Sequence, residues 1–203
     1  MNTTLKNKRE HQILTAALAV AVEKGYSDSR IDDIVQNSKL SKGTIYWYYK
    51  SKKDVYLALV DYWFKQYSSE VLSQIEKKQS ASKKLINLFQ YFINQFDTNP
   101  TVFKILTEFW SLSKRDPDFN HKFQKLYQAF LKYIITIIEE GICSKEFKNV
   151  NPRITALSIL INVEGIHWFT LFQKSGVEAK EYINTISNFI LSGLKMEPNN
   201  EST

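Results

Sequence analysis

Residues 38–54 read SKLSKGTIYWYYKSKKD and bring rings and ammonium groups into one short stretch. Tyr46, Trp47, Tyr48 and Tyr49 stand in a row, with Lys39, Lys42, Lys50, Lys52 and Lys53 around them. Ammonium groups and phenol hydroxyls bind phosphate oxygens, while an indole or a threonine methyl meets base edges and thymine methyls. A packed core takes rings without lysines, and a solvated face takes lysines without rings. The mixture suits the grooved, anionic surface of a DNA duplex.

A helical wheel sorts the stretch. Each residue advances about 100°, which puts Tyr48 and Tyr49 on the side of Ile45 and Trp47 opposite it, with Gly43 and Thr44 towards Trp47. Ile45 and Tyr49 are therefore expected to face a core, Tyr48 to lie at its edge and Trp47 to project outward. Gly43 lets another backbone approach closely. Ser41 and Lys42 stand at the expected helix start, where free N–H groups and the dipole favour phosphate. The preceding SRIDDIVQNS completes a helix, a short turn and a second helix over about 30–49, with Ser29 placed to cap the first of them.

Those elements belong to a chain of 203 residues, enough for one sizeable core or two small ones. The composition is that of a folded protein, 43% hydrophobic and 24% charged, with a formal net charge of +6. Residues 1–57 hold ten lysines and arginines against six carboxylates, which is +4 of that excess. The basic surface is thus expected near the N-terminus. Six glycines and four prolines are spread thinly, with neither between 44 and 99, which favours helix over strand.

The apolar spacing agrees. Ile13, Leu14, Ala17, Leu18, Ala21 and Val22 predict a first helix ended by Gly25. A long helix is predicted over about 52–77, then others near 81–97, 101–113, 118–140, 152–173 and 178–195, with breaks at Asn99-Pro100, Asp116-Pro117, Gly141 and Asn151-Pro152. The fold class is all-α with about nine helices: a helix-turn-helix domain over 1–57, a larger helical body over 58–196 and a flexible tail over 197–203.

ILTAALAVAVEKGY (13–26), SRIDDIV (29–35) and LSKGTIYWYYKSKKDVY (40–56) together resemble the DNA-binding domain of TetR-family transcriptional regulators. Tyr49 stands where the family usually has phenylalanine, and Trp47 is a less usual choice for a DNA-facing position. The resemblance implies a homodimer, an N-terminal reader of a palindromic double-stranded operator and a C-terminal body that binds a small effector. Most members repress, and the ligand releases them. By resemblance Ser41, Lys42, Gly43, Thr44, Tyr46, Trp47, Tyr48 and Lys52 lie against DNA, Arg30 reaches a phosphate or base, and Lys6, Lys8 and Arg9 form an N-terminal arm.

The body is rich in large rings, and the resemblance places the effector among them. Phe89, Phe92, Phe103, Leu106, Trp110, Phe130, Tyr133 and Trp168 are the candidate lining of a mainly apolar cavity, with Glu108 and Glu164 as candidate counter-charges for a cation. A ligand among residues 89–133 would push the helix over 52–77 and so move the reader. Leu160, Glu164 and His167 on one late helix, with Ile183, Ile186, Phe189 and Ile190 on the last, are the candidate dimer face of a four-helix bundle.

Other classes are less well served. No nucleophile elbow or phosphate-cradling glycine loop is present, so an enzyme is not expected. His11, His121 and His167 lack metal-ligand spacing, and no cofactor is expected. The single cysteine, Cys143, excludes an intrachain disulfide and suits a reducing cytoplasm; it is expected in a loop after Gly141. The most apolar stretch, 154–172, contains Asn162, Glu164 and His167, too polar for a membrane span. Helix-turn-helix units also occur away from DNA, so the alternative is a helical adaptor binding another protein through exposed rings.

Overall fold

The computed structural model describes residues 3–73, 79–98, 101–165 and 176–196. Among them the chain forms nine helices: α1 (Thr3–Asp28), α2 (Ile31–Ser38), α3 (Lys42–Tyr48), α4 (Lys52–Ser73), α5 (Ala81–Thr98), α6 (Thr101–Ser113), α7 (Pro117–Cys143), α8 (Pro152–Glu164) and α9 (Ala179–Leu194). The all-α class and the order of elements follow the apolar spacing closely. They group into two compact units. The first comprises Met1–Ser69 and Thr101–Leu126, the second Glu70–Pro100 and Tyr127–Thr203. No helix among the described residues is long and apolar enough to cross a membrane.

The core of the first unit starts from the stripe on α1, where Ile13, Leu14, Ala17, Val20 and Ala21 are all buried. Ile31 and Ile34 of α2, Ile45 of α3 and Val55, Tyr56, Leu59 and Trp63 of α4 close around it. Each fully buried large side chain contributes about 1.5–3 kcal/mol. Gly25 breaks α1, as expected, with φ 70 and ψ −179, a conformation that L side chains rarely adopt. α6 packs on α1, and Trp63 meets Phe109 edge-on at 6.0 Å.

The start of α2 differs from expectation. Ser29 does not cap it. Its hydroxyl is buried, donates to the Tyr26 carbonyl at 2.9 Å and accepts from the Tyr56 hydroxyl at 2.7 Å. Asp33 takes the capping role instead, accepting the Arg30 backbone N–H at 2.7 Å. The turn into α3 is made by Lys39, in the left-handed region at φ 55.

In the second unit α5 buries Leu85, Leu88, Phe89 and Phe92, α8 buries Ala156, Ile159, Leu160 and Val163, and α9 buries Ile183, Leu191 and Leu194. α9 packs against both α5 and α8. Asn151 caps α8 by accepting the Ile154 N–H at 3.0 Å, with Pro152 in its first turn. Gly141 does not interrupt α7, contrary to expectation. The helix runs on to Cys143, and a Cβ at 141 would fall 2.1 Å from the Phe147 ring. That glycine serves close packing rather than a turn, and Cys143 ends a helix, exposed.

Candidate nucleic-acid interface

α3 presents its residues much as the wheel requires. Ile45 is fully buried, Trp47 is 63% exposed and Tyr46 45% exposed. Lys42 and Gly43 are exposed, and Thr44 is half-buried. Ser41 is the cap: its Oγ accepts the Thr44 N–H at 3.1 Å and lies 2.8 Å from the Thr44 hydroxyl. Ser41 and Thr44 thus fix each other at the helix entry. Tyr49 falls just beyond the last helical residue, in extended backbone. Burial pushes its phenol up to about 12. Beside it, Tyr48 Oη is enclosed and has no hydrogen-bond partner.

The lysines divide in a way that spacing alone does not show. Lys42 Nζ lies 2.8 Å from Asp32 on α2. Lys39 and Lys50 stand exposed. Lys53 turns to Asp116 at 2.6 Å and Asp118 at 2.7 Å, at the start of α7. Lys52 is held by its own chain. Its ammonium donates to the carbonyls of Tyr26 at 2.6 Å and Ser29 at 2.8 Å, and stands 4.4 Å from the centre of the Tyr26 ring. Burial holds its pKa below the usual lysine range, against the pull of Asp28 and Asp33. In the free protein Lys52 is therefore a tie between α4 and the α1–α2 junction. Arg30 is exposed at the start of α2, beside Asp33, which Lys24 ion-pairs at 2.7 Å.

The same junction receives α6. Glu108 Oε1 accepts the Tyr26 backbone N–H at 2.5 Å, and the Tyr26 ring meets Tyr56 at 4.9 Å and Phe119 at 5.7 Å, both edge-on. Glu108, expected to face a ligand, instead binds backbone just after the Gly25 break. Asp32, Tyr26 and Glu108 were not legible as partners, because each contact joins residues ten to eighty-two positions apart.

The sequence agrees with known proteins over both parts of the chain. Residues 13–59 match the model for bacterial regulatory proteins of the tetR family, and residues 61–196 match that for the QacR-like protein C-terminal region. The chain belongs to the TetR family. The regulator is 27% identical to a fatty acid metabolism regulator protein of Bacillus subtilis, over 71% of this chain and 74% of that one. Its fold matches a putative transcriptional regulator from Saccharomonospora viridis in complex with choline. The TM-score is 0.85 at 19% identity, covering 94% of this chain and all of the other. It also matches FadR from Bacillus subtilis in complex with stearoyl-CoA, with a TM-score of 0.75 at 22% identity, covering 90% and 98%. The regulator is thus a DNA-binding transcriptional regulator and not an enzyme.

The candidate effector residues fall in both units of the regulator. Phe103, buried, half-buried Leu106 and Trp110, 48% exposed, belong to the first. Lys114 Nζ stands 3.5 Å from the Trp110 ring centre. Phe89 and Phe92 are buried in the second unit, where Phe130 meets Phe92 edge-on at 5.8 Å and Tyr133 is half-buried. Burial pushes the half-buried Glu164 carboxyl up to about 7, and a hydrogen bond from Tyr127 only partly offsets this. Trp168 and His167 lie outside the described residues.

The candidate dimer residues also divide. Leu160 and Ile183 are enclosed by their own chain, which corrects their assignment to an outer face. On α8 Ile154, Leu157 and Ile161 are exposed, and on α9 Phe189 is exposed with Ile186 and Ile190 half-buried.

Proposed function

We propose that this chain is a homodimeric repressor that holds a palindromic operator through α3 and leaves it when a small, mainly apolar effector binds the body. The observation that carries the reading is the surface of α3, where Lys42, Gly43, Tyr46 and Trp47 are open to solvent while Ile45 anchors the helix. Trp47 and Thr44 meet base edges. Lys42, Tyr46 and Tyr48 hold phosphates, and Arg30 reaches the backbone from the start of α2. Lys52 acts from behind, by fixing α4 to the junction that orients α2 and α3.

The open apolar face of α8 and α9 is the proposed dimer surface, two helices from each chain forming a four-helix bundle. The ligand-bound neighbours hold choline in one case and stearoyl-CoA in the other. Both chemistries suit a body with many rings and a half-buried carboxyl, Glu164. We place the effector near Phe92, Phe130 and Tyr133, with Tyr127 and Glu164 as its polar partners. By this reading the effector acts through α4, whose first turn holds the junction by way of Lys52. Glu108 gives α6 a second hold on the same junction. An effector shifts the balance only by binding the released form better; about 5.5 kcal/mol of difference makes a near-complete switch.

Selection of bound sequences from random duplex DNA by the purified protein tests the reading. Palindromic sites with half-sites about one helical turn, or a multiple, apart are expected. Recovery of no preferred sequence, with no salt-dependent retention of duplex DNA, would favour the adaptor alternative. A thermal-shift screen of acyl compounds and organic cations then identifies the effector class.

A further inference from the structure

We infer that Gln12 is a positioning residue for DNA recognition: its side-chain amide, aimed by Arg9, fixes the carbonyl at the end of α2 and with it the angle at which α3 is offered to the bases. The inference rests on the reading of α3 as the DNA-facing helix.

Ser38 is the last residue of α2, so its backbone carbonyl has no acceptor role within that helix. Gln12, half-buried on α1, supplies the missing donor: its Nε2 donates to that carbonyl at 2.7 Å. An amide can present either end, and Arg9 makes the choice. A guanidinium only donates, and its Nη1 lies 3.0 Å from the Gln12 Oε1, which leaves Nε2 for Ser38. Arg9, half-buried one turn earlier on α1, thus has a use within the chain. The Ser38 side chain holds the same spot. It is buried, donates to the Val35 carbonyl at 3.3 Å and accepts the Leu40 N–H at 3.4 Å. Lys39, in left-handed backbone, and Leu40 are all that separate this point from Ser41, the cap of α3. Another fastening of α2 to α1, the Lys24–Asp33 pair at 2.7 Å, lies at the opposite end of α2 and is partly exposed, where ion pairs hold weakly. A small tilt at Ser38 therefore shifts the whole of α3. Long lysines tolerate such a shift and still meet phosphates, whereas Thr44 and Trp47 reach base edges only from a set depth.

The test compares affinity for the palindrome recovered by selection with affinity for a random duplex of equal length, at several salt concentrations. Gln12→Met keeps the length of the side chain and removes its donor. It is expected to weaken binding to the palindrome about tenfold and to leave the random duplex unchanged, because base readout alone depends on the angle. The slope of log affinity against log salt stays as in the parent, since no charge is lost. Arg9→Met is expected to lower the same discrimination, and to bring no further loss of it in a Gln12→Met background. Ala19→Gly, on the exposed side of α1, weakens that helix without touching Ser38; it should melt earlier with discrimination intact. Three results would overturn the inference: equal losses on both duplexes in Gln12→Met, no loss on either, or the same fall in discrimination in Ala19→Gly. An Arg9→Met loss of equal size in both backgrounds would remove Arg9 from it. A parent protein with no preference for any sequence would instead refute the DNA-facing assignment of α3 itself.

Discussion

Glu164 illustrates how much one side chain's surroundings decide. Burial raises its pKa to about 7, above the ordinary glutamate value, so the folded chain keeps a proton that the unfolded chain gives up earlier. Stability is then complete in acid, declines as the pH climbs from about 4.5 to about 7 and is level beyond that, a fall of about 3 kcal/mol at most. Glu164→Gln is expected to flatten this slope and to be more stable than the parent at about pH 8, as thermal unfolding across the range will show. A bound cation would lower the same pKa and release a proton. Lys42 provides the residue-scale prediction for the reader. Its partner Asp32 must share it with a phosphate, and Lys42→Ala is expected to weaken operator binding about tenfold, which is ~1.4 kcal/mol. The salt dependence should drop by about one counter-ion, with the dimer unchanged. Fluorescence anisotropy at several salt concentrations measures both.

At the scale of elements, the junction between α1 and α2 gathers contacts from α4, α6 and α7. Glu108 is the part of it most exposed to test. Glu108→Ala leaves the Tyr26 N–H without its acceptor, a loss of about 1–3 kcal/mol. That corresponds to roughly 2–4 °C in melting temperature per kcal/mol for a chain of this size. Glu108→Gln keeps an acceptor oxygen and should fall by less; differential scanning calorimetry of the pair separates the two. The helices themselves are legible in the sequence, because glycine, proline and apolar spacing act over a few residues. Gly141 shows where that reasoning stops. A glycine near a helix end reads as a terminator, yet this one lies within α7 because Phe147 needs the space. Ser29 misleads in the same way, since a well-placed serine reads as a cap until Tyr56 is seen to hold it.

For the whole molecule the decisive matter is assembly. Ile154, Leu157 and Ile161 form one apolar row on α8 and Phe189, 77% exposed, stands on α9, all in the second unit. Phe189→Asp is expected to convert the dimer to monomer in sedimentation velocity. It should weaken operator binding about a hundredfold or more, since two linked readers gain from high effective concentration. What the sequence determined alone was local: about nine helical segments, the outward turn of Trp47 and the basic N-terminal quarter. Each follows from periodicity or composition within a few turns of chain. The tertiary structure decided which lysines remain open and which are tied down. It also turned Leu160 and Ile183 inward and enclosed the Tyr48 hydroxyl without a partner. Those outcomes depend on atoms brought together from distant parts of the chain, and no spacing rule contains them.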